Sequence, residues 1–434
     1  MFETYEEALH WIHSRLRLGI KPGLMRMEWM LEKLDHPEQK VKFVHIGGTN
    51  GKGSTVTYLR SILESAGYET GTFTSPYIEQ FNERISLNGM PISDEEITQL
   101  ANVIYPLSVE LEGTELGGPS EFEIITAMAI YYFAEVHPVD FTLFEVGLGG
   151  RFDSTNVIQP LLSIITNIGL DHTQFLGSTH KEIAFEKAGI IKKETSVISA
   201  VKQPEAQEVI VNKANEMQAP LYLLNKEFNI VDHVSIESGE TFTLQSNEHT
   251  LQDLTITMFG QHQTENAALA VMAAILLGEE HSYLIEEHHI REGLQDAQWP
   301  GRFEFVSHNP ILILDGAHNE EGVTALTAEL AKRYHDKKIK MIFTALADKK
   351  LDEMIHLLDQ VADEITFVSF DYPRATSVEV LFNLSGSAHK KMDEDWKRVL
   401  TSEYKSVKEN EILVVTGSLY FISQVKQFLR ETLL

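Results

Sequence analysis

The 434-residue sequence contains no cysteine, which excludes disulfides, thiolate metal sites and cysteine nucleophiles. It also lacks any apolar run approaching the roughly 18 residues that a membrane-spanning helix needs. The opening MFETYEEALHWIHSRL has neither a basic segment nor a continuous apolar stretch, so a signal peptide is not expected. Positive charge is scarce: 36 Lys+Arg stand against 64 Asp+Glu, a formal net charge of −28. That balance argues against wrapping nucleic acid or lying on an anionic membrane. Small anionic ligands stay open, because a loop or a metal ion can reverse the potential inside a cleft. Fixed-period repeats and low-complexity tracts are missing as well. What remains, 43% hydrophobic and 23% charged, is the composition of an ordinary soluble globular protein, and the length points to roughly two or three domains. A cytoplasmic enzyme is the expectation.

The densest signal is Val44-His45-Ile46-Gly47-Gly48-Thr49-Asn50-Gly51-Lys52-Gly53-Ser54. Lys42 to Ile46 read as a short buried strand, and Val56, Leu59, Ile62, Leu63 and Ala66 fall on one face of a following helix. Strand, glycine-dense loop, lysine, hydroxyl and helix is an arrangement that cradles phosphate: loop N–H groups and the helix N-terminus face the anion, Lys52 supplies a charge, and a hydroxyl reaches Mg²⁺. The spacing departs from the strict Walker form, since Ile46 occupies the first glycine position and Gly53 separates Lys52 from Ser54. An ordinary glycine turn entering a helix is the simpler alternative.

Along the chain, residues 1–34 read as helices around a glycine-rich joint at Leu18-Gly19-Ile20-Lys21-Pro22-Gly23-Leu24. A strand at 71–74 ends at Ser75-Pro76, and a small hairpin with an Asn88-Gly89 turn follows. Capping boxes open helices at Ser93/Glu96, Ser120/Glu123 and Thr179/Glu182. The Ser120 helix is expected to run to about Glu135, and Gly189 to end the Thr179 helix. Strands at 141–147 and 161–166 carry the loops Gly149 to Asp153 and Gly169-Leu170-Asp171-His172. Alternating residues from 225 to 258 suggest hairpins at the edge of the first domain, and an apolar helix spans 267–277. Trp299-Pro300-Gly301-Arg302 punctuates the chain. A fresh alternation follows, with strands at 311–314, 340–344, 365–369 and 412–416 and a last helix from Ser418. The expected class is α/β: a P-loop, doubly wound, mostly parallel sheet domain over 1–298, and a smaller Rossmann-like α/β domain over 299–434.

Glu145 ends an apolar strand where open α/β sheets place ligands, and an acid beside a phosphate loop suits nucleotide-bound Mg²⁺. His172 is a metal ligand or a structural histidine; Ser75 is a weaker candidate in a Ser-Pro turn. Lys187 follows Ile183 and Ala184 at helical spacing, so it is on the apolar face. There an amine must pair, lose its proton, be modified or snorkel outwards. Asp315-Gly316-Ala317-His318-Asn319 presents an acid and an imidazole after a strand, or else forms a tight turn capped by Asn319. Arg302 is a candidate phosphate ligand or a surface arginine.

Together these segments resemble the folylpolyglutamate synthase/dihydrofolate synthase family, within the Mur-ligase-like superfamily of ATP-dependent amide-forming enzymes. The resemblance rests on Gly48 to Ser54, Thr74-Ser75-Pro76-Tyr77, Phe81 to Ile85, Glu121-Phe122-Glu123, Glu145 to Gly150, Asp153 to Asn156, Gly169 to His172 and Lys187 to Ile191. It continues with His262 to Ala267, Trp299 to Arg302, Asp315 to Asn319 and Thr416 to Tyr420, all in order along the chain. It implies that Asn50, Gly51, Lys52, Gly53 and Ser54 hold the ATP phosphates, and that Asn266, Arg302 and Asp315 contact ATP with His318 beside them. It further implies that Ser75, Glu145 and His172 coordinate Mg²⁺ and that Lys187 is carbamylated. Phe122, Glu123 and Arg84 are implied at the pterin site, and Ser418 at the incoming glutamate. The implied catalytic set is Lys52, Glu145, His172, Lys187, Asp315 and His318. The implied reaction joins L-glutamate to dihydropteroate or a reduced folate through an acyl phosphate, with ATP and Mg²⁺, in a monomer with no nucleic-acid or membrane partner. A Mur-type ligase acting on a nucleotide-sugar peptide and a partner-driving P-loop ATPase are the competing readings.

Overall fold

The run Phe43-Val44-His45-Ile46-Gly47 (β1) is apolar apart from His45, and all five residues are buried. Such a strand belongs at the centre of a sheet covered on both faces. The computed structural model, which describes residues 1–19 and 21–432, places it there. The expected joint around Gly19 includes Ile20, which lies outside the described residues. On either side of it the chain forms the helices Tyr5–Ser14 and Met25–Lys33.

Two compact units divide the chain: Met1–Ile236, Thr241–Thr257 and Gln263–Gln298 in the first; Glu237–Glu240, Met258–His262 and Trp299–Leu434 in the second. The first contains an eight-stranded sheet. Its further strands are β2 (Thr70–Phe73), β3 (Ile85–Leu87), β4 (Met90–Pro91), β5 (Phe141–Glu145), β6 (Pro160–Ile165), β7 (Ser196–Ser199) and β8 (Leu221–Leu223). Their order is β4-β3-β2-β5-β1-β6-β7-β8. From β2 to β8 every pairing is parallel, and β3 and β4 add an antiparallel hairpin. The chain leaves β1 towards β2 and β5, then crosses to β6 on the other side. The carboxyl ends of β5, β1 and β6 therefore flank the topological switch point, where doubly wound sheets bind ligands.

The expected helices form with small shifts. The one after β1 spans Lys52–Ser65. All three capping boxes are present, at Ser93/Glu96, Ser120/Glu123 and Thr179/Glu182. The Ser120 helix is α-helical over Glu121–Tyr131 and widens into a π-turn over Tyr132–Val136. The Thr179 helix ends at Lys187, two residues before Gly189. A core of Phe43, Phe73, Phe144, Ile97, Leu100, Ile124 and Met128 covers one side of the sheet. The alternating segment forms β9 (Phe228–Ile236), β10 (Gly239–Ser246) and β11 (Thr250–Ile256), a separate three-stranded sheet rather than an extension of the large one.

The second unit holds a six-stranded sheet made of β12 (Glu304–His308), β13 (Ile311–Asp315), β14 (Lys338–Phe343), β15 (Glu364–Val368), β16 (Lys390–Asp393) and β17 (Glu411–Thr416). Its order is β12-β13-β17-β14-β15-β16, parallel throughout except for β12, which runs antiparallel at the edge. Cores on the two faces, around Phe343 and Phe367 and around Val415 and Phe421, make it a Rossmann-like layer. Among the described residues no helix is long and apolar enough to cross a membrane.

One buried polar residue in β1 has a measurable consequence. His45 is fully buried, with Nε2 2.8 Å from Thr155 Oγ1. That hydroxyl donates to Asp153 at 2.5 Å, which assigns the imidazole proton to Nε2. Burial, helped by the Lys192 ammonium, drives the His45 pKa from 6.5 down to about 3. Below pH 6.5 the unfolded chain takes up a proton that the folded chain refuses, so this contribution to stability is complete above 6.5 and lost as pH falls towards 3. Each pH unit in that window should remove about 1.4 kcal/mol through this residue. Urea unfolding at pH 7, 6 and 5 checks this: His45→Gln should flatten the slope, and an unchanged slope would exclude His45 as its source.

Candidate active site

Four strands of the first unit end in residues singled out from the sequence, and the strand order sets their sequence across the sheet: Ser75 after β2, Glu145 at the end of β5, the phosphate loop after β1, and His172 beyond β6. Glu145 is only 5% exposed. Its Oε2 accepts the Ser75 N–H at 3.2 Å, and Oε1 lies 3.8 Å from Lys52 Nζ. Ser75, Glu145 and Lys52 are thus one cluster. His172 is exposed, stands at the N-cap of the short helix Thr173–Leu176 with φ 50°, and lies on the far side of the phosphate loop from Glu145. The Glu145 carboxylate, bonded to the backbone of Ser75 and close to Lys52, brings together a carboxylate and a serine, the hard oxygen donor types Mg²⁺ prefers. The donor chemistry fits that ion.

The phosphate loop is bonded along its length to β6's carboxyl end. Thr49 N–H donates to Asn167 O at 3.0 Å, and Asn50 N–H donates to Asn167 Oδ1 at 2.8 Å. Thr166 Oγ1 donates to Asn50 O at 2.6 Å. Thr49 Oγ1 accepts from Gly169 N–H at 2.9 Å, and Lys52 Nζ donates to Thr49 O at 3.3 Å. The Asn50 N–H is thereby engaged inside the protein. Anion-facing amides come instead from the start of helix Lys52–Ser65, whose first N–H groups have no partner within the helix. Gly51, with φ 82°, leads into it, and a Cβ there would collide with Asn266 Oδ1. Asn266 is thus brought against the loop by helix Gln261–His281, beside Gln263, whose amide donates to Ser54 Oγ at 3.4 Å.

Lys187 is 4% exposed, and its Nζ donates to Gly48 O at 2.8 Å. It points into the protein beneath the phosphate loop. Around the start of helix Glu121–Tyr131, Arg84 Nη2 lies 3.8 Å from Glu121 Oε1, and its guanidinium sits over the Tyr77 and Phe81 rings. Burial raises the Glu121 pKa, and Arg84 opposes that shift. Phe122 packs against Gly147, where a Cβ would strike its ring. Glu123 is occupied: its carboxylate accepts from Ser120 N–H and Oγ and from Arg26 Nε. Beyond Glu145, Asp153 holds the loop by accepting Leu148 N–H at 2.7 Å.

In the second unit, Asp315 ends β13, accepting Phe303 N–H and Ala317 N–H at 2.8 Å each. Burial raises its pKa, while Arg302 and these two N–H groups lower it. His318 Nδ1 is 2.7 Å from Gly316 O. Thr416 pairs with Asp315 in register, so Ser418, 1% exposed, follows directly beside the Asp315 loop. Arg302, Asp315, His318 and Ser418 therefore gather at one sheet edge. Thr166 and Asn167 were not singled out from the sequence, and Gln263 was noticed only as part of the His262–Ala267 segment. The one visible signal for Thr166-Asn167 is that it continues directly into Ile168-Gly169-Leu170-Asp171-His172.

Residues 106–274 match the Mur ligase middle domain, and residues 301–419 match the Mur ligase glutamate ligase domain. The protein is an ATP-dependent ligase of the Mur type. Over 430 residues it is 48% identical to the dihydrofolate synthase/folylpolyglutamate synthase of Bacillus subtilis, covering 99% of this chain and 100% of that one. It is 32% identical over 427 residues to the folylpolyglutamate synthase of Lacticaseibacillus casei, covering 98% and 99%. The solved structure of Mycobacterium tuberculosis folylpolyglutamate synthase complexed with ADP superposes with a TM-score of 0.90 at 29% identity, covering 98% of this chain and 97% of that one. The chain belongs to the dihydrofolate synthase/folylpolyglutamate synthase family.

Proposed function

We propose that this ligase joins L-glutamate to both dihydropteroate and reduced folates, as a cytoplasmic monomer using ATP and Mg²⁺. The observation that carries the reading is identity of 48% along the whole of a relative named for both activities, together with the Lys52–Glu145 cluster at the switch point. In this reading residues 1–298 bind ATP and the pterin-bearing acid, and residues 299–434 serve the glutamate step. Lys52 and the first amides of its helix hold the transferred phosphoryl group. Ser75, Glu145 and His172 would hold Mg²⁺, which neutralises charge on the phosphates. Asn266, Arg302 and Asp315 contact the nucleotide, with His318 beside them. Phe122 and Arg84 line the pterin site with Glu123 bracing it, and Ser418 meets glutamate. A carboxylate is a poor acyl donor; phosphorylating it gives an acyl phosphate that the glutamate amine attacks, releasing phosphate.

Phosphate release from MgATP and L-glutamate, with dihydropteroate, tetrahydrofolate or neither added, tests this. Release with each acid and none without supports both activities; release with only one acid narrows the protein to that activity. Release indifferent to both refutes the ligase assignment.

Lys187 is proposed to carry a carbamate. A carbamylated Nζ keeps one hydrogen, so its bond to Gly48 O survives while a carboxylate is added beside the phosphate loop. Lys187→Ala should lose activity by roughly the 10²- to 10³-fold typical of removing one preorganised charged group, and acetate or propionate should restore part of it. Full activity in that variant would refute the role.

A further inference from the structure

We propose that Thr166 and Asn167 are positioning residues for phosphoryl transfer: they set the orientation of consecutive peptide planes in the phosphate loop and join it to the segment carrying His172. The inference rests only on ATP being a substrate, not on which acid is glutamylated.

In a trans peptide the C=O and N–H groups point in opposite directions, so fixing one edge of the plane aims the other. The Gly48–Thr49 plane is held at both edges, with Gly48 O on Lys187 Nζ at 2.8 Å and Thr49 N–H on Asn167 O at 3.0 Å. In the next plane Asn167 Oδ1 takes the Asn50 N–H, which turns Thr49 C=O the other way, where it receives Lys52 Nζ. The Asn167 side chain thus determines where the Lys52 ammonium rests, within 3.8 Å of Glu145. In the third plane the Thr166 hydroxyl takes Asn50 O at 2.6 Å, which directs the Gly51 N–H away from β6, ahead of the helix amides. Without that hydroxyl the Asn50–Gly51 plane is free to rotate, since Gly51 already has φ 82° and glycine crosses such regions readily. A rotated plane would present a carbonyl oxygen, in place of an N–H, to a polyphosphate. Thr166 is itself 3% exposed and donates its own N–H to Gly47 O at 2.9 Å, so its anchor is rigid.

The variants are Thr166→Val, which keeps the shape and loses the hydroxyl, Thr166→Ser, which keeps the hydroxyl, and Asn167→Ala. Calorimetry on the full chain with Mg²⁺ would compare a non-hydrolysable ATP analogue with AMP. Thr166→Val should weaken the ATP analogue by about tenfold, near the scale of one hydrogen bond to a charged group, leave AMP unchanged, and be rescued by Thr166→Ser. Asn167→Ala should raise KM for ATP and also lower kcat, because Lys52 is released, with KM for glutamate unchanged. Thr166→Val binding the ATP analogue like the parent would overturn the proposal. So would equal losses for ATP analogue and AMP with a lowered melting temperature, which would mark a merely structural role. Absence of folate-dependent turnover would refute the functional reading while leaving this binding result intact.

Discussion

Glu145→Gln should lower kcat by about 10²- to 10³-fold, the range for losing one preorganised electrostatic contact to the transition state, because the carboxylate that would hold the charge-neutralising Mg²⁺ is lost. The amide has nearly the shape of the carboxylate, and its oxygen can still accept the Ser75 N–H that Glu145 accepts at 3.2 Å. The change therefore removes charge and little geometry. Two effects follow. The site binds Mg²⁺ less tightly, so the activity that remains should need several-fold more of the ion for half-saturation. The Lys52 ammonium, 3.8 Å away, loses its counter-charge and pairs more closely with the nucleotide, so KM for ATP should change far less than kcat. Steady-state rates over a Mg²⁺ series check both. Unchanged Mg²⁺ dependence would remove Glu145 from the metal site.

A comparable loss is expected from Gly48→Ala, for a different reason. Gly48 has φ 145°, and a Cβ there would fall on the Thr166 hydroxyl. The backbone penalty alone is about 1–3 kcal/mol. The larger effect is displacement: Thr166 cannot hold Asn50 O while sharing its space with a methyl group. A shift of about 1 Å in a phosphate-positioning group costs on the order of 10²-fold, so kcat/KM for ATP should fall at least that far. Gly67→Ala is the control, because Gly67 also has a positive φ, 84°, but nothing lies within 4 Å of its Cβ position. Both variants should melt earlier, and only Gly48→Ala should lose turnover. Equal losses would attribute the effect to stability alone.

The parts of this protein legible in its sequence are those set by residues a few positions apart. Ser93 and Glu96, Ser120 and Glu123, and Thr179 and Glu182 close their capping boxes within one turn. Glu145 and Asp315 end strands whose apolar runs announce them. The bonds from Thr166 and Asn167 to Asn50 span 116 and 117 residues, and only the pairing of β1 with β6 brings them into reach. The one local cue for that threonine and asparagine, that they lead into Ile168-Gly169-Leu170-Asp171-His172, does not say which loop they hold. The three-stranded sheet has the expected hairpins, but its pairing shows the same limit: period-two alternation marks strands without saying which strands they join. Lys187 was recognisable as an amine on an apolar face, but its acceptor, Gly48 O, was not.

The strand order also bears on how the protein behaves in crowded solution. The large sheet is bounded by β4, two residues ending in Pro91, and β8, three residues; the second sheet ends on one side at β16, which carries Lys390 and Lys391. A long flat edge would offer unpaired N–H and C=O groups to any passing strand, whereas short, proline-bearing or lysine-bearing edges offer a poor template. With 28 more acids than bases, neighbouring molecules also repel one another at low salt. The same topology that gathers the phosphate loop and its partners at the sheet's centre leaves its margins resistant to fibrillar growth.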